Sequence, residues 1–149
     1  MSFYNWLCRC FTAPPQKVKK LPPSSEPSKI TLVLDLDETL IHASFEPLLD
    51  YDFRLVISID STDRTVYVRK RPKLDAFLLL CGELFEVVIF TASLQEYANP
   101  IIDYIDSYSV VSYRLYRQHC SLVSNKLVKD LSTLNRPMSR ILIVDVRVI

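Results

Sequence analysis

From Ile30 onward the chain alternates between short apolar runs and stretches where apolar residues recur every three or four positions. Ile30–Leu34 (ITLVL) is almost wholly apolar, the pattern of a strand covered on both faces. Phe85–Phe90 (FEVVIF), Val110–Arg117 and Ile141–Val146 (ILIVDV) read as further strands. Phe53–Ile59 and Thr65–Arg69 are β-rich runs separated by Asp60-Ser61-Thr62-Asp63, which predicts a hairpin. Pro72 opens a helix reaching about Cys81, with Leu74, Phe77, Leu78 and Cys81 at helical spacing. A second helix runs from Leu94 to about Ile105, and Ser93 stands at capping-box spacing from Glu96. Buried strands alternating with helices predict an α/β fold with a parallel sheet. Ligands of such sheets collect beyond the carboxyl ends of the strands, so the residues just after each apolar run are the ones to inspect.

Composition narrows the chemistry. The 149 residues make one domain, and 18 basic against 17 acidic side chains offer no global attraction for nucleic acid. A single glycine, Gly82, excludes a phosphate-binding glycine loop or a dinucleotide fingerprint, each of which needs several. With only His42 and His119 there is no histidine-pair zinc site. No signal peptide or apolar run of spanning length is visible, which predicts a soluble, intracellular chain. Residues 1–29 hold a proline-rich stretch with Lys17, Lys19 and Lys20 and read as a disordered segment ahead of a folded domain at 30–149.

After the first strand comes Asp35-Leu36-Asp37-Glu38-Thr39, whose two aspartates project to one side while the chain stays extended. Such a pair suits a nucleophile beside a proton donor, with a cation offsetting their repulsion; the plainer alternative is that Asp37 or Thr39 caps a helix. Thr91 follows Phe90 and, with Ser93 taken as the cap, its hydroxyl is left to meet an anion, or else it is structural. Lys129 follows a short apolar stretch and on its own would point into solvent. Asp145 closes the Ile141–Val144 run, where a carboxylate suits orienting a lysine or a metal.

In that order, these positions resemble the haloacid dehalogenase superfamily. LDLDETLIH, VYVRKRP (66–72), LFEVVIFTASLQEYA (84–98), LYRQHC (115–120) and LVKDLSTL (127–134) resemble more closely the small phosphatases of the RNA polymerase II C-terminal domain and their nuclear-envelope relatives. The resemblance implies a three-layer α/β fold with a central parallel sheet and a small β-hairpin inserted near the site. It implies a Mg²⁺-dependent phosphatase acting on serine-proline phosphosites, with nuclear or cytoplasmic residence. Asp35 would attack phosphorus and Asp37 would act as acid and then base. Asp35 and the Asp37 carbonyl would hold Mg²⁺, Thr91 and Lys129 would bind the phosphoryl group, Asp145 would orient Lys129 or a water, and Arg117 would lie near the phosphate. Phe45, Ile57, Ile59, Val66, Leu94 and Tyr97 match an apolar pocket for a substrate proline, although ordinary packing accounts for the aliphatic ones equally well.

Two features depart from that pattern. Val146 stands where the family places a metal-binding asparagine or aspartate, which supports the alternative of a weakened phosphopeptide-binding module. The chain also ends at Ile149, which predicts a carboxyl-terminal part missing from the domain and an exposed apolar strand. Receiver-type signalling domains use similar residue types but lack the LDLDETL motif. Cys8 and Cys10, beside the basic cluster, are candidates for acylation and peripheral membrane attachment, or else belong to an inert tail.

Overall fold

The computed structural model describes residues 21–146, so Cys8, Cys10 and their acylation lie outside the described residues. Its elements are β1 (Ile30–Leu34), β2 (Ile41–Ser44), β3 (Phe53–Ile59), β4 (Thr62–Lys70), α1 (Leu74–Leu84), β5 (Phe85–Phe90), α2 (Gln95–Ile105), β6 (Val111–Leu115), β7 (Ser121–Val123), β8 (Lys126–Val128) and β9 (Ile141–Val144). The four apolar runs form one parallel sheet in the order β6-β5-β1-β9. Period-two alternation sends Leu32, Leu34, Val87 and Ile89 to one face and Val33, Val88 and Phe90 to the other.

The first face packs on α1, α2 and an antiparallel sheet in the order β2-β4-β3. The predicted hairpin is tighter than its sequence suggested: the turn is only Asp60-Ser61, both left-handed (φ 51° and 59°), so Thr62 and Asp63 join β4. Its third strand, β2, has four residues, too few for alternation to reveal. Phe53 of β3 stacks on Tyr104 of α2 with ring centroids 3.8 Å apart, tying hairpin to helix. Helix α1 begins at Leu74 rather than Pro72, and it buries Leu74, Leu78 and Cys81 while Phe77 faces outward.

The second face is covered by irregular chain: Leu127, Leu131 and Leu134 pack beneath it together with Leu21. Chain ahead of the boundary expected at Ile30 therefore packs on the domain. Leu21 is buried, its carbonyl accepts from Asn135 Nδ2, the Pro22 carbonyl accepts from Arg136, and the Ser28 carbonyl from Arg140. Beneath this cover Arg136 forms a two-pronged ion pair with Glu86 at 2.7 and 2.8 Å, and Thr31 donates to the same carboxylate at 2.7 Å. On the sheet's outer edge, β9 leaves Leu142, Ile143 and Val144 each more than two-fifths exposed. Among the described residues no helix is long and apolar enough to cross a membrane.

The one glycine marks a close approach. A Cβ at Gly82 would come within 2.7 Å of Val110 Cβ, nearer than packed carbon atoms allow. We expect Gly82→Ala to lower stability by about 1–3 kcal/mol, because α1 must shift from the chain entering β6. A shorter partner, Val110→Ala, should restore most of the loss in chemical-denaturation midpoints.

Candidate active site

The parallel register brings the ends of four strands together. Leu34 pairs with both Ile89 and Val144, and Phe90 with Leu115. Asp35 N then donates to the Val144 carbonyl at 3.0 Å, and Thr91 N to the Leu115 carbonyl at 2.9 Å. Asp35, Thr91 and Asp145 thus share one edge, as their places at the strand ends predict, and Arg117 follows β6 at the same edge. Lys129 arrives from β8, the second strand of a small hairpin that is not evident in the sequence.

Lys129 Nζ lies 2.5 Å from Asp35 Oδ1 and 2.6 Å from Asp145 Oδ2, so one ammonium joins the ends of β1 and β9. All three side chains are nearly buried, in contrast to the solvent-facing lysine expected from the local sequence. Burial pushes the Asp35 carboxyl above its ordinary value, with Lys129 opposing that shift. Thr39 Oγ1 donates to the other Asp35 oxygen at 3.3 Å and accepts from Val146 N at 3.3 Å. Thr39 is therefore no helix cap but a link between the two strand ends.

Asp37 faces the other way. Its carboxylate accepts from Ser93 Oγ and from Tyr97 OH, both at 2.6 Å, and from Thr91 Oγ1 at 3.4 Å. Burial raises its carboxyl above the usual range, while the bonds from Ser93 and Tyr97 pull in the opposite direction. A carboxyl held up in this way keeps its proton to higher pH than a free one, which suits a proton donor.

Ser93 does not cap α2. Leu94 occupies the N-cap position with no side-chain bond, and the Ser93 hydroxyl is committed to Asp37. The Thr91 hydroxyl is engaged as well, accepting from Ser93 N at 3.0 Å while it donates to Asp37. The capping-box spacing misled because the serine hydroxyl donates to the carboxylate just beyond β1 instead of accepting from a backbone N–H of α2, and no local pattern shows that carboxylate. Arg117 Nε donates to the Ala92 carbonyl at 2.7 Å, which holds its guanidinium group at the same edge. Cys120 is buried beneath them, its thiol pushed up to about 11 chiefly by burial.

Of the six residues matched to a proline pocket, Ile57, Ile59, Val66 and Tyr97 are buried in the core below the hairpin. Phe45 and Leu94 pack on that core and keep exposed surface, and the Phe45 ring lies 6.5 Å from Tyr97.

Whether the site suits a cation is answered by its donors. Asp35 and Asp145 supply carboxylate oxygens around one ammonium, and Asp37 adds a third buried carboxylate close by. Among the described residues no three acidic, His or Cys side chains converge into a complete cage. That set fits Mg²⁺, which takes one or two carboxylates and fills its octahedron with water and phosphate oxygens. Val146, directly after Asp145, is 59% exposed and brings only carbon.

Residues 30–148 match the family described as NLI interacting factor-like phosphatase. The human CTD small phosphatase-like protein is 49% identical over 117 residues, covering 78% of this chain and 42% of the relative. The yeast (Saccharomyces cerevisiae) phosphatase PSR1 is 46% identical over 127 residues, covering 84% of this chain and 30% of the relative. The chain spans less than half the length of these relatives. The fold also resembles that of the fission yeast RNA polymerase II CTD phosphatase Fcp1 (R271A) bound to beryllium fluoride. The TM-score is 0.66 at 23% identity, covering 82% of this chain and 38% of that one.

Proposed function

Because the chain belongs to the NLI interacting factor-like phosphatase family, we propose that it is a Mg²⁺-dependent protein serine/threonine phosphatase working through an aspartyl-phosphate. Its substrates would be extended serine-proline segments such as the C-terminal domain of RNA polymerase II, and nuclear residence follows from such a substrate. The observation that carries this reading is the Lys129 ammonium between Asp35 and Asp145, with Asp37 two residues from Asp35. An Asp35 oxygen attacks phosphorus in line, and the bond from phosphorus to the serine oxygen breaks. Asp37, turned from Ser93 and Tyr97 toward the leaving group, gives that oxygen its proton. It then takes a proton from the water that cleaves the aspartyl-phosphate, which returns free Asp35 and phosphate. The Thr91 hydroxyl donates to a phosphoryl oxygen, Lys129 offsets the negative charge, and Asp145 keeps Lys129 in place. Mg²⁺ held by the Asp35 carboxylate and the Asp37 carbonyl would spread the charge that develops on the phosphoryl oxygens. Phe45 and Leu94 offer the exposed apolar contact for a substrate proline.

A second reading, a phosphopeptide-binding module with weakened catalysis, is favoured by the exposed Val146 beside Asp145. The deciding experiment is hydrolysis of a phosphoserine-proline peptide across a Mg²⁺ titration, with Asp35→Asn as the blank. We expect turnover by the natural chain, and Val146→Asn should reach half-maximal rate at roughly ten-fold lower Mg²⁺ by restoring one oxygen ligand. Turnover confined to Val146→Asn selects the binding module. Silence from both variants defeats the phosphatase reading for this chain.

A further inference from the structure

Beyond its own backbone turn, the loop that follows Asp37 is held by a residue that no catalytic role explains, Arg71. Leu36 O accepts from Thr39 N, Leu40 N and Ile41 N, which turns the chain sharply back into β2. That turn forces Glu38 into the left-handed region at φ 62°, a conformation that costs a residue with a Cβ on the order of 1 kcal/mol. The next three carbonyls then point outward together, and all of them accept from Arg71. Arg71 Nη2 meets Glu38 O at 2.9 Å, Nε meets Thr39 O at 2.5 Å, and the backbone N meets Leu40 O at 2.9 Å. Pro72 restricts Arg71 to extended backbone, so the side chain leaves the end of β4 in a fixed direction. The guanidinium matches two adjacent carbonyls with a planar fork that lysine does not possess.

We propose that Arg71 is a positioning residue: it clamps the loop 38–40 and, through Thr39, fixes the Asp35 carboxylate. The link is direct, since Thr39 Oγ1 donates to Asp35 Oδ2 and also accepts from Val146 N on the far side. Without the clamp, the strained Glu38 relaxes, and Thr39 leaves both strand ends. Attack in line tolerates little displacement, and 1 Å of misplacement is worth about a hundred-fold in rate. The guanidinium borders an open groove of about 360 Å³ between Glu38, His42, Lys70 and Pro72, wide enough to admit a small guanidinium ion from solution.

The catalytic consequence rests on the phosphatase reading, whereas the clamp itself does not. The test therefore pairs phosphopeptide turnover with amide hydrogen exchange, on the natural chain and on Arg71→Ala and Arg71→Lys, each checked for folding by thermal melting. In Arg71→Ala we expect kcat to fall about ten- to a hundred-fold with KM within two-fold. Exchange should rise at 38–41 and stay unchanged in β5, and added ethylguanidinium should restore both properties. Arg71→Lys, able to reach one carbonyl only, should fall between. If Arg71→Lys alone folds, it carries the test by the same two readouts. Unchanged exchange at 38–41 overturns the clamp, and raised exchange with undiminished kcat overturns its role in positioning. If the natural chain shows no turnover above Asp35→Asn, the phosphatase reading fails, and exchange alone decides for or against the clamp.

Discussion

Asp35→Asn should abolish turnover of a phosphoserine-proline peptide, by at least about a thousand-fold, while leaving the folded protein intact or more stable. The amide has the shape of the carboxylate: its oxygen can still accept from Lys129, and its NH2 group can donate to Thr39 Oγ1 where the carboxylate accepted, so the loop and the strand ends stay linked. What it loses is the electron pair that attacks phosphorus. The stability half of the expectation follows from the direction of the Asp35 shift. Burial raises this carboxyl in the folded protein, so its ionised form opposes folding at neutral pH, and the opposition grows as pH rises through the unfolded value. Removing the charge lifts that cost without metal, and thermal melts in chelator should show an equal or higher midpoint for the variant. Residual turnover well above background would mean that water attacks phosphorus directly and that Asp35 is not the nucleophile.

The second large effect concerns the fold. Glu86→Ala should cost about 3–5 kcal/mol, because it strands the Arg136 guanidinium in a place that is only 5% exposed. Thr31 loses its acceptor in the same step. A paired replacement, Glu86→Leu with Arg136→Met, should cost much less, since no charge remains to be satisfied. The pair also predicts a pH dependence. The bonds from Arg136 hold the Glu86 carboxyl below its usual range, helped by Thr31 and opposed by burial. Its contribution is therefore fully present above the unfolded glutamate value, near pH 4.5, and is lost as pH falls through the lower folded value. Urea denaturation followed from pH 7 downward should show a shallower acid decline in Glu86→Gln than in the natural chain. A loss under about 1 kcal/mol in Glu86→Ala would mean that water reaches Arg136 and that the pair does not hold the layers together.

The sequence reveals the parallel sheet and the strand-end residues because both leave local marks. Continuous apolar runs make buried strands, and a carboxylate or threonine that closes such a run can only lie at the sheet's edge. Partners fixed by distant chain are not legible in this way. Ser93 reads as a cap until β1 places Asp37 beside it, and Tyr97 reads as a pocket residue until its hydroxyl is seen donating to that carboxylate. Lys129 reads as solvent-facing because the hairpin that turns it inward consists of two three-residue strands. Glu86 sits within an apolar run and gives no sign of its partner fifty residues away. Leu21 lies in a proline-rich stretch that looks disordered, yet the second face of the sheet needs it as cover.

The place of β1 between β5 and β9 has a consequence for how the protein is made. Thr31 meets its partner Ile141 only after more than a hundred further residues have been synthesised, whereas Ile30 meets Phe85 much sooner. Contacts of such separation form late and slowly. The Asp35 amide waits for the Val144 carbonyl, and Lys129 waits for Asp145. A nascent chain that has not yet released β9 thus carries Asp35 without the Val144 carbonyl and the Asp145 carboxylate that order this end of the sheet. The cluster at the strand ends is therefore complete only once β9 has emerged and paired.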